Sequence, residues 1–169
     1  MDEITHVKKA RKKQGDRVIP KFRLPHITLE RIEEIIAGYS KHQAIKYDEL
    51  ARNINRSEDA VSLTNSFLSD LGILEREGAS LKSPTTIGRQ LGNAIKIKNE
   101  SDRVKTWREI IMGNDYCIRF IQSIDSFDKV NRKGFRFKIM HIAGYLDLEI
   151  HEKQVGANAL IELFTQVGY

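Results

Sequence analysis

Residues 46–74 read KYDELARNINRSEDAVSLTNSFLSDLGIL, two amphipathic segments separated by a short polar turn. The apolar positions of the first segment have the spacing of one helix face: Leu50, Ala51 and Ile54. Ser57 can cap the second segment, whose first turn is acidic as the helix dipole favours. Gly72 follows the last apolar residue, where a left-handed glycine commonly ends a helix. The stretch therefore predicts a short helix, a turn and a longer capped helix.

The flanking residues extend this pattern in both directions. Upstream, Thr28 can cap a helix with apolar positions on one face: Leu29, Ile32, Ile35 and Ile36. Downstream, residues 73–82 fit two short strands joined by a turn around Gly78. A further helix is predicted to start at Ser83-Pro84-Thr85. The fold class predicted is mainly α with a small β-hairpin.

The order of three helices and a hairpin over residues 27–83 resembles the winged helix-turn-helix superfamily. The residues that carry the resemblance are Leu50-Ala51-x-x-Ile54, Ser57-Glu58-Asp59-Ala60-Val61 and Phe67-Leu68-x-x-Leu71-Gly72-Ile73-Leu74. Residues 86–91 also look like the threonine-x-glycine-x-x-leucine segment that often follows the hairpin, or wing. The resemblance implies that the third helix enters the major groove of DNA, and it points to no family within the superfamily.

The C-terminal half is predicted to be helical. Its helices span about Glu100–Met112, Asp115–Ile124, Phe135–Leu146 and Glu152–Gln166. Two segments resemble the first half: Ile142-Ala143-x-x-Leu146 resembles Leu50-Ala51-x-x-Ile54, and Val167-Gly168-Tyr169 resembles Leu71-Gly72-Ile73. Residues 115–169 are therefore either a degenerate second helix-turn-helix without a wing or an unrelated helical bundle.

The excess of positive over negative charge is confined to one end of the 169-residue chain. Residues 1–25 have a net charge of +5, which is the net charge of the whole chain, and the remainder is neutral. We therefore expect a basic, flexible arm over 1–25, a winged domain over 26–99 and a helical domain over 100–169. The arm cations expected to contact nucleic acid are Lys8, Lys9, Arg11, Lys12, Lys13 and Arg17. A nuclear-import signal and a solubilising tail are the alternatives for the arm.

The third helix offers only a modest DNA-reading surface. Projection on a helical wheel predicts that its outward polar side chains are Ser62, Asn65, Ser66 and Ser69. Asn65 could contact adenine through two hydrogen bonds. Three nearby cations could contact phosphates: Arg56 before the helix, and Arg76 and Lys82 in the hairpin. The acidic side chains of Glu58, Asp59 and Asp70 oppose this interpretation and also suit a protein-binding face.

A second basic stretch lies between Phe127 and Lys138. The stretch is predicted to form a loop with a turn at Gly134. It contains five basic residues: Lys129, Arg132, Lys133, Arg136 and Lys138. Phosphate contact is the expected role of these cations. The phenylalanines among them either belong to the core or stack on an unpaired base.

Several functional classes find no support in the sequence. No membrane-spanning stretch, secretory signal, metal-ligand spacing, phosphate-binding loop or catalytic motif is recognised, so we expect no enzyme activity, metal or cofactor. Lone Cys117 lies on an apolar helix face and suits a buried, unreactive thiol. Trp107, the only tryptophan, is expected either in the core or as the anchor of a homodimer.

These features lead to two functional hypotheses. The first is a non-catalytic protein that binds double-stranded DNA, a transcription regulator or other nucleoprotein component, with no membrane association. The second is an adaptor that binds a protein partner through its winged-helix surfaces. The expected location is the cytoplasm or nucleoid, or the nucleus in a eukaryote.

Overall fold

Eight α-helices and three short β-strands are found in residues 21–125 and 132–169, the part of the chain that the computed structural model describes. In chain order they are α1 (Leu29–Tyr39), β1 (Ile45–Lys46), α2 (Tyr47–Asn53), α3 (Glu58–Asp70), β2 (Leu74–Arg76), β3 (Leu81–Pro84), α4 (Thr86–Lys96), α5 (Glu100–Met112), α6 (Asp115–Asp125), α7 (Arg132–Ala143) and α8 (His151–Gln166). The prediction of a mainly helical protein with a small β element is confirmed.

The sheet is antiparallel and has one strand more than predicted. Its order is β1-β3-β2, so the predicted hairpin of β2 and β3 is extended by β1 on the other side of β3. β1 has only two residues, too few for an alternating pattern to be visible in the sequence.

The ends of α3 have the predicted caps. The Ser57 hydroxyl accepts a hydrogen bond from the amide of Ala60 at 3.2 Å. At the other end Gly72 has φ +72°, and the amide of Ile73 reaches back to the carbonyl of Leu68 at 2.9 Å. Thr28 also precedes α1 as predicted, but its hydroxyl makes no capping hydrogen bond.

Gly88 in the first turn of α4 lets this helix pack directly against the backbone of Ile73, the residue before β2. A Cβ atom at Gly88 would lie 2.1 Å from the carbonyl oxygen of Ile73, far inside van der Waals contact. The Thr85 hydroxyl caps α4 by accepting from the Gly88 amide and also donates to the carbonyl of Gly72 at 2.7 Å. Glycine is therefore required at position 88.

Both halves of the chain contribute to one continuous hydrophobic core. Trp107 of α5 is fully buried in it, and its indole nitrogen donates to Glu33 of α1 at 2.8 Å. The side chain therefore has no free surface on which to anchor a homodimer, and the core role is the one observed. No helix within the described ranges is long and apolar enough to cross a lipid bilayer.

The limits of α7 differ from the prediction. The helix begins at Arg132 rather than Phe135, and it ends at Ala143 because Gly144 takes φ +94°. Leu146 therefore lies beyond the helix, and its predicted helical position is wrong. It is 82% exposed, whereas Ile54, the residue directly after α2, packs against the core, so the two positions are not equivalent. The chain end does match α3: Gly168 has φ +92°, and Tyr169 donates to Phe164 as Ile73 does to Leu68.

Candidate nucleic-acid interface

The outward face of α3 is narrower than predicted. Ser62, Ser66 and Ser69 are half-exposed, but Asn65 is 6% exposed and its side-chain oxygen accepts from the Tyr39 hydroxyl at 2.8 Å. The outward placement of Asn65 is therefore wrong. The spacing could have indicated this, because Asn65 lies four residues after Val61 and three before Leu68, both of them buried.

The paired strands of the hairpin place two cations on the side that faces α3. Arg76 of β2 lies directly opposite Lys82 of β3, so both side chains project from the same face. Lys82 Nζ donates to the Ser69 hydroxyl of α3 at 3.3 Å, and Arg76 Nε donates to the carbonyl of Gly78 at 2.8 Å. Burial, and then the charges of Arg76 and Arg23, lower the pKa of Lys82.

The carboxylates of the hairpin lie on its other face. Glu75 is paired with Ser83, one position out of phase with Arg76 and Lys82. Glu77 continues this alternation and accepts a hydrogen bond from the Ser83 hydroxyl at 2.8 Å. The side of the hairpin toward α3 is therefore cationic, although the hairpin carries both signs of charge.

Residues 22–26, here called the N-terminal strap, are packed on the fold, although the sequence places residues 1–25 in a flexible arm. Phe22 and Leu24 are each 1% exposed. The Phe22 ring packs among three aromatic rings of α3 and α6: Phe67, Tyr116 and Phe120. Burial of these two apolar side chains accounts for the difference. Lys8, Lys9, Arg11, Lys12, Lys13 and Arg17 of the predicted arm lie outside the described residues.

The strap binds the C-terminal end of α3 through Arg23. The backbone amide and Nε of Arg23 both donate to Asp70 Oδ2, at 2.9 and 3.0 Å, and a terminal nitrogen donates to Oδ1 at 2.5 Å. Further along, the Leu24 amide donates to the Tyr145 hydroxyl at 2.9 Å, and the Pro25 carbonyl lies against Gly156. The strap therefore passes along the C-terminal end of α3.

Arg56 has an internal partner. Its Nε and a terminal nitrogen both donate to Glu34 of α1, at 2.9 and 2.5 Å. The ion pair is partly exposed. Arg56 must break its ion pair with Glu34 before it can contact a phosphate. Arg76, whose hydrogen bond is to a backbone carbonyl, has no ion pair to break among the described residues.

The second basic stretch is helical where the structure describes it. Arg132, Lys133, Arg136 and Lys138 lie in the first two turns of α7, and Gly134 is a helical residue rather than a turn. Lys133 and Arg136 both lie over the ring of Phe137, with distances of 5.7 and 5.5 Å to its centroid. Phe135 belongs to the core, whereas Phe127 and Lys129 lie outside the described residues.

The described residues offer no evident metal or thiol chemistry. Within 21–125 and 132–169 no group of histidine, cysteine and carboxylate side chains could hold a metal ion. Cys117 is fully buried, and burial raises the pKa of its thiol to about 12, so it is not a reactive thiolate.

Comparison with known proteins adds no relative to this description. Family models, curated proteins and solved structures were compared with the chain, and none of them matches it.

Proposed function

We propose that the chain is a non-catalytic DNA-binding protein of the winged helix-turn-helix superfamily, a transcription regulator or another nucleoprotein component. The order α1, α2, α3 and hairpin supports the superfamily assignment, as do the Ser57 and Gly72 caps of α3. In this assignment α3 is the helix that enters the major groove, and the β2–β3 hairpin is the wing.

The observation that carries the proposal is that two segments separate in the sequence, the strap and the hairpin, meet at the C-terminal end of α3. The strap reaches Asp70 through Arg23, the hairpin reaches Ser69 through Lys82, and Arg76 lies opposite Lys82. The N-terminal segment, with its net charge of +5, therefore joins the fold next to the hairpin cations. A duplex lying along α3 would meet Arg23, Arg76 and Lys82 together.

In this arrangement phosphate contacts supply most of the affinity. Arg76, Lys82 and the N-terminal cations neutralise the backbone, while the hydroxyls of Ser62, Ser66 and Ser69 contact bases or phosphates. With Asn65 buried, base readout by α3 is weak, so binding depends strongly on salt and only slightly on sequence. The cations of α7 are a second phosphate-binding surface in this proposal.

Fluorescence anisotropy of a labelled duplex tests the proposal. Arg76→Gln/Lys82→Gln should weaken binding about tenfold, because two phosphate contacts are lost. Lys96→Gln/Lys105→Gln is the matched control, since it removes the same charge from exposed positions on α4 and α5. An equal effect of both double variants contradicts the role given to the hairpin cations, and no binding by the native chain at low salt contradicts DNA binding itself.

One observation favours the adaptor hypothesis. Leu63 on α3 is 46% exposed, and the acidic residues Glu58 and Asp59 at the start of the same helix are exposed. A basic, partly apolar protein segment would suit this surface. A pull-down with and without nuclease separates the two functions, because a protein partner stays bound after nuclease treatment and a partner bridged by DNA does not.

A further inference from the structure

We infer that Ser69, Arg76 and Lys82 form a binding site for a single phosphate group, and that Asp70 restricts this site by competing with the phosphate for Arg23. The inference deepens the proposed function, and it rests on that function only for the source of the phosphate, the backbone of a duplex. A free phosphate ion has the same binding chemistry.

The strand register places the positive charges of Arg76 and Lys82 next to each other. Residues directly opposite each other in antiparallel strands have neighbouring side chains, and like charges there are unfavourable. Arg76 and Lys82 are such a pair. Lys82 is also half-buried, and its hydrogen-bond acceptor, the Ser69 hydroxyl, is uncharged. A bound anion would relieve this repulsion.

The carboxylate of Asp70, next to Ser69 in the chain, already has a partner. Asp70 follows Ser69 in α3, and its two oxygens accept three hydrogen bonds from Arg23. Counted together, Arg23, Arg76, Lys82 and Asp70 have a net charge of +2. The group is therefore positively charged even with the ion pair intact.

The ion pair is accessible enough to exchange. The Arg23 side chain is 45% exposed and that of Asp70 is 19% exposed, so an anion from solvent can reach the guanidinium. Partly exposed ion pairs contribute little to stability because water screens them. The carboxylate still repels an incoming phosphate, so a single phosphate binds weakly. A duplex, which presents several phosphates at once, overcomes this repulsion.

The chemistry of the donors suits phosphate. A guanidinium presents parallel N–H groups to two oxygens of a phosphate, and an ammonium group binds a third oxygen as a compact charge. Arg76 donates to the carbonyl of Gly78 through Nε, and its two terminal nitrogens donate to no other described residue. Arg76, Lys82 and the Ser69 hydroxyl can therefore bind one phosphate together, and Arg23 can join them on leaving Asp70.

Titration of the full chain with inorganic phosphate, at constant ionic strength maintained with chloride, tests the site. NMR shifts of the Ser69 and Lys82 amides should saturate at weak affinity. Asp70→Asn should tighten binding about fivefold, since the competing charge is removed. Arg76→Gln/Lys82→Gln should abolish saturation, and Lys96→Gln/Lys105→Gln should leave it unchanged. Unchanged or weaker binding in Asp70→Asn, or saturation that survives the hairpin substitutions, overturns the inference.

A second variant keeps the competition testable if Asp70→Asn does not fold, as judged by circular dichroism. Arg23→Ala frees Asp70 to pair with Lys82, so phosphate affinity should fall, and an unchanged affinity overturns the competition.

A short duplex separates this inference from the proposed function. If phosphate binds here and the duplex does not bind, the site stands and the DNA proposal fails. If the duplex binds equally to the native and hairpin variants, the site is wrong and DNA binding stands.

Discussion

The indole nitrogen of Trp107 lies 2.8 Å from Oε1 of Glu33, and the same oxygen accepts a hydrogen bond from Arg103 Nε at 2.7 Å. The carboxylate and the guanidinium are 14% and 11% exposed, so both are largely removed from water. Arg103 also donates to Gln166 of α8. Glu33 of α1 and Arg103 of α5 together therefore connect three helices from the two halves of the chain.

We predict that Glu33→Ala lowers the free energy of unfolding by about 2 kcal/mol, because it leaves the indole N–H of Trp107 and Nε of Arg103 without their acceptor. The guanidinium keeps its bonds to Glu100 and Gln166. Urea unfolding followed by the fluorescence of Trp107, the only tryptophan, measures the change. Glu30→Ala, an exposed position on the same helix, is the control and should change little. Equal stability of the two variants would contradict this account of the network.

Thr64→Val should raise the free energy of unfolding by about 1 kcal/mol. The Thr64 hydroxyl is buried in α3 and has no hydrogen-bond partner in the described structure. Valine keeps the shape of the side chain and removes the unpaired group. Asn65→Leu is the contrasting variant: it removes the acceptor of the buried Tyr39 hydroxyl and should lower stability. Chemical denaturation checks both, and a less stable Thr64→Val protein would refute the prediction.

Gly156→Ala should release the N-terminal strap. A Cβ atom at this position would lie 1.8 Å from the carbonyl oxygen of Pro25, so strap and helix must move apart at a cost of about 3 kcal/mol. Hydrogen exchange of the Leu24 amide, which donates to Tyr145, reports the release. Gly72→Ala is the control, because it has space for a Cβ and strains only its φ of +72°. Faster Leu24 exchange is expected in Gly156→Ala alone.

Stability should fall on acidification because of His26 in the strap. Burial, and then the neighbouring charge of Lys153, lower the pKa of His26, while Glu152 acts in the opposite direction. The unfolded chain binds this proton first, near pH 6.5, so the stabilisation is present above about pH 6.5 and is lost as the pH falls through the lower folded value. Urea midpoints across this range should decline less in His26→Gln, whereas exposed His151→Gln should behave like the native chain.

The sequence was sufficient to predict the long elements and the caps of α3. Apolar spacing located α1, α3, α5 and α8 to within a residue or two, because each has a stripe of buried side chains. The two-residue strand β1 was not predicted, because it is a strand only through its pairing with β3 and has no sequence pattern of its own. The early start of α7 escaped because positively charged side chains gave its first turn the composition of a loop.

The candidate interface was only partly predictable. Arg76 and Lys82 could be named from the hairpin, but their meeting with Arg23 depends on tertiary packing. The packing of the strap was not predicted, because Phe22 and Leu24 lie in a strongly basic segment, where two apolar residues give no periodic signal. Asn65 was misplaced because a polar side chain was assigned to solvent, although Tyr39 supplies a buried partner.

The central claim, that a neutral fold with a basic N-terminal segment binds duplex DNA, is tested most directly by the salt dependence of binding. Affinities are measured over a range of salt concentrations for the full chain and for a chain that lacks residues 1–17. Each cation on a phosphate contributes roughly 0.9 to the slope of log affinity against log salt, so six cations should steepen the full-chain slope by up to about 5. Equal slopes, or no binding of either chain at low salt, would contradict the account.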